Sequence, residues 1–407
     1  MRWMSVLLAA LLLSGCVGDK AEYVHSVWRP AAGTEAERNV WYVTDRAADK
    51  DWQGGFGKHW SDTLSCGSVV AVIPAMSLAG EPYATGHLKP GAEKRMSCGN
   101  DLEVVAIAIG ADASARHCRD VLIYIHGFNT LFDGAMLRAG QIGNDTEFPC
   151  PVIAFSWSSE GEVDRYIADV EHSAYAAPEF ESLLRALAKQ GLRADILGHS
   201  IGTRIALSAL SAMAHERDAP QGEFVDQLIL AAADVGADPV NNDFLHLLND
   251  AQPFVRRTTV YASAGDAVLA VSAIAHGSVA RAGHLPRHDR ALEVPEGDHA
   301  IDIVDATQAP AELLGHSYFG LSYEAVSDIA LTLNGATVAQ RMGRIDGWPL
   351  TLVCKPPQGS AACDAAHPHY VLNVLPSRRP DFWIRLVRRI VPILPRIELA
   401  PLSGSDE

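Results

Sequence analysis

Five residues near the middle of the chain, Gly198, His199, Ser200, Ile201 and Gly202, have the types and spacing that can activate a serine hydroxyl. A GxSxG string arises by chance in roughly one chain in ten of this length, so the letters alone carry little. Their surroundings carry more, because the string follows the apolar run ADIL and precedes the helix-like run TRIALSALSAMA. At a strand-to-helix turn the glycines permit a tight bend, which lifts the hydroxyl above the sheet edge and sets it at a helix N-terminus. A serine placed this way needs a base, and the base needs an acid that holds its tautomer and stabilises its charge.

Chain order suggests both partners. His316, in GHSYF, stands beyond the apolar run IDIV, after what reads as the last core strand. His276, His284, His288 and His299 crowd the preceding loop, and in a chain with 16 histidines any of these can simply be solvated. Asp266 follows TTVYAS, one strand before that of the histidine, and Asp234 follows LILAAA, one strand earlier still. Asp266 is the favoured acid and Asp234 the alternative, although Asp266 also stands where an N-cap would open the run AVLAVSAIA. A third element follows VLIYI, where His126, Gly127, Phe128 and Asn129 form an HG turn at the end of a buried strand. The backbone N–H groups of Phe128 and Ile201 are the candidate donors of an oxyanion hole, aimed at the charge that develops on an attacked carbonyl. As a plain turn HGFN would need no function, but strand, HG turn and downstream GxSxG occur in the order that the chemistry requires.

These residues need rigid elements behind them. Apolar, β-branched runs at Val121 to Phe128, Pro151 to Trp157, Ala194 to Leu197, Gln227 to Ala232, Thr258 to Ser263 and Ile301 to Val304 alternate with helix-like segments. That alternation predicts an α/β fold, a parallel sheet covered by helices on both faces. Phe180, Leu183, Leu184 and Leu187 fall at helical spacing between Pro178, which would open a helix, and Gly191, which would close it. Residues 21 to 115 hold extended runs (NVWYVTDR, SVVAVIP) among Gly/Pro-rich turns and suit the first, antiparallel strands of such a sheet.

The stretches YVTDR, VLIYIHGFNT, IAFSWSSEG, ILGHSIGTR, LILAAADV, VYASAGDAVL and GHSYF occur in that order over roughly residues 38 to 335. In this series the chain resembles a family of largely uncharacterised bacterial α/β hydrolases, catalogued as a domain of unknown function. The resemblance implies the α/β-hydrolase fold, a Ser200 nucleophile, a His316 base and an acid at Asp266. No substrate follows from it. The chain departs from many such members in its amino-terminal segment and its C-terminal extension.

Composition limits the partners and places the protein. With 407 residues and 48% hydrophobic content the chain can bury a large core, and a net charge of -16 would repel a polyanion, which makes nucleic acid a poor partner. Arg2 and the short apolar run from Val6 to Leu13 read as an export signal, and LSGC at Leu13 to Cys16 resembles a bacterial lipobox with Cys16 as the lipidated residue. The expected organisation is a signal over residues 1–16, a tether over 17–37, the hydrolase domain over 38–335 and an extension over 336–407. The extension holds GWPLTLVCK and HYVLNVLP, which suit a small hairpin, and then DFWIRLVRRIVPIL, a short helix cut by Pro392 and Pro395 that docks on the hydrolase more readily than on a membrane surface. Six cysteines remain after Cys16, an even set that suits an oxidising compartment. Cys118 and Cys150 each precede an apolar run that would lie side by side in a parallel sheet, so they are paired first. Cys66 with Cys98 and Cys354 with Cys363 follow. No close CxxC or histidine cluster suggests a metal, and no cofactor is expected.

Two classes of function are consistent with this reading: a serine esterase acting by acyl transfer, lipid-anchored in the cell envelope and facing the periplasm at the outer membrane, or a non-catalytic envelope lipoprotein that uses the same fold to bind a partner. Anchoring is testable by itself. Intact-mass analysis should find an acyl mass on Cys16, and a Cys16→Ser variant should lose that mass and leave the membrane fraction; a soluble, unacylated wild type would overturn the anchor.

Overall fold

The computed structural model describes residues 35–50, 55–73, 86–99, 101–237, 243–285, 300–309, 314–343, 350–354 and 369–374. Cys16, Cys363, His288, His299 and the segment DFWIRLVRRIVPIL lie outside them. In chain order the elements are β1 (Ala36–Ala48), β2 (Phe56–Ile73), β3 (His87–Leu88), β4 (Lys94–Met96), α1 (Glu103–Ala115), β5 (Asp120–Ile125), α2 (Phe132–Asp145) and β6 (Val152–Ser156). Then come α3 (Tyr166–Lys189), β7 (Arg193–His199), α4 (Ile201–Ala214), β8 (Val225–Ala231), α5 (Asp243–Ala251), β9 (Val255–Ala262) and α6 (Ala267–Ala275). The described chain closes with β10 (Ala300–Asp305), α7 (Tyr318–Leu321), α8 (Tyr323–Leu333), α9 (Val338–Arg341), β11 (Leu352–Cys354) and β12 (His369–Leu372).

All the strands join one sheet in the order β11-β12-β10-β9-β8-β7-β5-β6-β1-β2-β3, with β4 also on β2. From β12 through β1 every pairing is parallel, and antiparallel neighbours occur only toward the two edges. The chain steps outward from β5 to β6 and then, through α3, back across to β7, β8, β9 and β10. The order therefore reverses beside β5 and β7, and a crevice opens at the carboxyl ends of the strands at such a switch point.

Both sheet faces are covered, which is why the central strands read as near-continuous apolar runs. On one face Ile123, Phe155 and Ile196 pack against Ile109 of α1, Phe180 and Leu184 of α3 and Ile205 of α4. On the other, Val40, Leu122 and Ile229 pack against Met136 of α2 and Ile329 of α8. Among the described residues no helix is long and apolar enough to cross a membrane.

Three local expectations change. The span from 21 to 115 is not all strand: the run LEVVAIAIG lies largely in α1, because Val105, Ala106, Ile109 and Ala113 bury one helical face. Pro178 does not open a helix; it lies inside α3, which begins at Tyr166. The missing N–H and the ring's clash cost about 3 kcal/mol, but Ser173, Ala176, Ala177, Phe180 and Leu183 are buried on both sides of it and hold the helix together. Gly191 does end that helix, with φ 70° and paired bonds from Gly191 N to Ala188 O (2.9 Å) and Leu192 N to Leu187 O (3.2 Å). Third, the hairpin β11–β12 is not an appendage, since β12 pairs in parallel with β10 and continues the sheet.

Disulfides join Cys66 to Cys98 and Cys118 to Cys150. Cys118 and Cys150 stand at the starts of the neighbouring strands β5 and β6, with Cα atoms 5.7 Å apart. Cys354, at the end of β11, is also disulfide-bonded. The Cys118–Cys150 bridge spans 32 residues, and closing a loop of that length constrains the unfolded chain by roughly 3 to 4 kcal/mol. A Cys118→Ser/Cys150→Ser variant should therefore melt several degrees below the wild type without reductant, and reduction of the wild type, which opens the other disulfides too, should lower the melting temperature at least as far; equal melting temperatures of variant and wild type would show that the bridge contributes nothing.

Candidate active site

The site is built on the turn between β7 and α4. Ser200 has φ 53° and ψ -120°, a left-handed conformation that a side chain rarely adopts, at a cost of about 1–3 kcal/mol. Its own peptide groups hold it there. Ser200 N donates to Ala231 O (3.0 Å), while Ser200 O accepts from Thr203 N (3.1 Å), Thr203 Oγ1 (2.6 Å) and Asp234 N (3.3 Å). The flanking glycines are steric necessities. A Cβ on Gly202 would lie 2.4 Å from Ile125 O and 2.6 Å from His126 O, and one on Gly198 would lie 3.0 Å from the Thr203 Cα.

The loop after β5 presses directly on this turn, since a Cβ on Gly127 would be 2.8 Å from the Cβ of Ser200. His126 is fully buried and stacks on Trp157 with ring centroids 5.2 Å apart. Burial, with Arg46 nearby, pulls its pKa down to about 3, so the ring is neutral at physiological pH. Its Nε2 lies 3.1 Å from Trp157 O, and Trp157 Nε1 returns a bond of 2.9 Å to His126 O. His126 thus locks the turn to the loop after β6. Phe128 and Ile201, the two candidate oxyanion donors, stand on either side of the contact between this turn and the elbow at Ser200.

His316 reaches the site from the loop that follows β10. Gly315, at φ 70°, leaves no room for a side chain: a Cβ there would lie 2.7 Å from Gly265 O, in the loop that carries Asp266. The two loops are tied by Ala267 N to Leu314 O (2.9 Å). His316 Nδ1 lies 2.7 Å from Asp266 Oδ2, and Asp266 is fully buried. An ionised carboxylate only accepts, so Nδ1 carries the proton and Nε2 is left as the basic nitrogen. The other oxygen, Asp266 Oδ1, accepts from Leu269 N (3.0 Å) and caps α6. The capping role and the histidine contact are therefore both present, one on each oxygen. On the serine side, the ring of His199 lies 4.7 Å from that of His316 and 4.3 Å from that of Phe319; burial holds the His199 pKa well below the usual histidine range.

Asp234 is not brought to His316. Its oxygens accept from the Tyr166 hydroxyl (2.6 Å) and the Ser272 hydroxyl (2.6 Å), and Arg281 lies 3.2 Å away as its counter-charge. His276, one of the competing histidines, bonds through Nδ1 to Ser272 O (3.0 Å) and packs edge-on against Tyr166.

Sequence reasoning gave no role to Arg46, Tyr166 or Asp169, all of which surround the HG turn. Arg46 is fully buried and donates to Ser156 Oγ (3.1 Å), Gly57 O (3.2 Å), Ser159 O (3.1 Å) and Thr130 O (2.6 Å). Arg46 lies in the stretch YVTDR and its partners Ser156 and Ser159 in IAFSWSSEG, so the signal was present in the motifs but not in any chemistry they spell. Among the described residues no group of three His, Cys, Asp or Glu side chains could hold a metal ion.

The family described as "Alpha/beta hydrolase of unknown function (DUF900)" matches residues 106–334. Among solved structures, a protein of Agrobacterium vitis S4 that bears only a general hydrolase label is similar at 11% identity and a TM-score of 0.30, covering 75% of this chain and 99% of its own. No curated protein matches.

The geometry separates the two acids experimentally. Asp266→Asn keeps an oxygen for the α6 cap, so it should fold, but it loses the charge beside the imidazole and should lower kcat by roughly ten-thousand-fold. Asp234→Asn strands Arg281 without a counter-charge, which should cost stability by about 3–5 kcal/mol while lowering kcat far less. Melting curves and rates on an activated ester would check both, and the reverse ranking of rates would move the acid role to Asp234.

Proposed function

Because this chain belongs to the alpha/beta hydrolase family of unknown function (DUF900) and has the α/β-hydrolase fold, we propose that it is a serine hydrolase that cleaves carboxylic esters through an acyl-enzyme on Ser200. One observation carries this reading: a serine at φ 53° on a strand-to-helix elbow, whose neighbour His199 has its ring 4.7 Å from that of His316, which is itself paired at 2.7 Å with the buried Asp266. The hydroxyl of Ser200 attacks the ester carbonyl while His316 Nε2 takes its proton, and Asp266 holds the ring and stabilises the imidazolium. The oxygen of the tetrahedral intermediate takes hydrogen bonds from the N–H groups of Phe128 and Ile201. Collapse expels the alcohol, which receives the proton from His316. Water, deprotonated by the same nitrogen, then repeats the sequence and releases the acid.

The setting of the reaction is part of the proposal. The LSGC segment ending at Cys16 supports a lipid anchor in the cell envelope, and the disulfides at Cys66–Cys98 and Cys118–Cys150 suit an oxidising compartment.

A fluorophosphonate probe reacts with an activated serine and should label the wild-type chain on Ser200. Ser200→Ala should fold normally, take no label and lose kcat by roughly a million-fold. Unchanged turnover in that variant would remove the nucleophile assignment, and an unlabelled, inactive wild type would leave the fold as a binding scaffold.

A further inference from the structure

The first turns of α3 carry two side chains that meet the HG turn, and neither belongs to the triad. Tyr166 and Asp169 stand three residues apart and so share one helix face. The Tyr166 ring packs edge-on against Phe128, centroids 5.4 Å apart, while its hydroxyl bonds to Asp234. Asp169 is fully buried. Its carboxylate accepts from the Ser159 hydroxyl, from Glu160 N at 2.8 Å and from the backbone N–H of Asn129. One carboxylate therefore joins the loop after β5 to the loop after β6. From the opposite side Arg46 donates to Thr130 O (2.6 Å) and Ser159 O (3.1 Å), gripping the same two loops by their carbonyls.

Asn129 has φ 54°, a left-handed conformation that asparagine tolerates better than other residues with a side chain. It is the residue after Phe128, whose N–H is the proposed oxyanion donor. Burying a carboxylate and a guanidinium is a poor way to gain stability, since apolar residues of the same volume commonly do as well. These two charges do something apolar residues cannot, which is to bond to specific backbone groups on two loops at once.

We infer that Asp169 is a positioning residue for the oxyanion hole: it holds the backbone of Asn129 so that the N–H of Phe128 faces the developing oxyanion, and Arg46 fixes the far end of the same turn. This rests on the serine-hydrolase reading above. The carboxylate touches neither substrate nor triad. Its effect belongs to the transition state, because the ground-state carbonyl needs the hole less than the tetrahedral oxyanion does.

The test uses the full-length protein, p-nitrophenyl acetate as substrate and a trifluoromethyl ketone, whose serine adduct carries the same oxyanion. Misplacing one donor should lower kcat by about a hundredfold in Asp169→Ala and leave KM within about twofold. Affinity for the trifluoromethyl ketone should fall by the same factor as kcat, which a loss of stability alone would not produce well below the melting temperature. Asp169→Asn keeps an oxygen for the backbone donors and can turn its amide toward the Ser159 hydroxyl, so it should recover about tenfold of the loss. If Asp169→Ala does not fold, Asp169→Asn decides, since kcat and inhibitor affinity must still fall together with KM unchanged. A folded variant with wild-type kcat, or one whose kcat falls while inhibitor affinity stays, overturns the inference. Failure of the wild type to react with the fluorophosphonate would instead overturn the reading beneath it.

Discussion

One contact governs the candidate site: the turn after β5 and the elbow after β7 meet with no room for a methyl group between them. Gly127 lies against the Cβ of Ser200, and Gly202 lies against the carbonyls of Ile125 and His126. This closeness sets how far the serine can be from the N–H of Phe128, and it is available only because β5 and β7 are adjacent parallel strands in strict register, Ile125 opposite Gly198. The strain at Ser200 is about 1–3 kcal/mol, small beside the burial of two helix-covered strands, so the sheet can hold a conformation that an isolated turn would relax. The order of chemistry then follows from the order of strands. The HG turn leaves β5, Ser200 leaves β7, Asp234 leaves β8, Asp266 leaves β9 and His316 follows β10.

The protein has a net charge of -16, yet each buried carboxylate around the site has a definite partner. Asp266 divides its oxygens between a helix cap and His316. Asp234 is balanced by Arg281 and Asp169 by backbone donors, with Arg46 nearby. The histidines near the centre are sorted by burial rather than by type. His126 and His199 are held neutral by desolvation, while His316 alone faces a carboxylate. A count of 16 histidines therefore says little, and the loop from which each one comes says nearly everything.

The strands were legible because a parallel sheet covered on both faces writes itself as apolar β-branched runs, and Ser200, Asp266 and His316 stood out as candidates because each follows the end of such a run. What sequence could not give was anything set by tertiary contact. The run EVVAIAIGADASA becomes a helix because the space beside α3 and the sheet accepts a helical face, which local composition does not disclose. Pro178 reads as a helix start, and only the buried residues before it show that the helix is longer. Position favoured Asp266 over Asp234 without deciding between them, since both follow strands. The distinction lies in Tyr166, Ser272 and Arg281, far apart in sequence, which fill the surroundings of Asp234 alone. Arg46 and Asp169 could not be singled out for the same reason, because most of their partners are backbone atoms, which any sequence can supply.

The family match ends at residue 334, but the physical unit does not. Arg341 is fully buried and bonds to Asp328 through Nε (3.0 Å) and Nη2 (2.6 Å) and to Asp302 on β10 through Nη1 (3.0 Å). Thr351, just before β11, donates to the same Asp328, as does the Tyr261 hydroxyl of β9. Tyr261 O in turn accepts from the Tyr318 hydroxyl, and that hydroxyl accepts from Ala232 N. Ala232 adjoins Ala231, whose carbonyl receives the N–H of Ser200. The hairpin beyond the matched span is thus linked to the elbow at Ser200 by a path of buried hydrogen bonds and the residues between them. Such a chain of contacts is a common scaffold and need not transmit a signal. Its consequence is that Asp328 depends on Arg341 for its counter-charge while Asp302 shares Arg341 with Arg257, so the segment after residue 334 helps to hold β9 and β10, the strands that Asp266 and His316 follow.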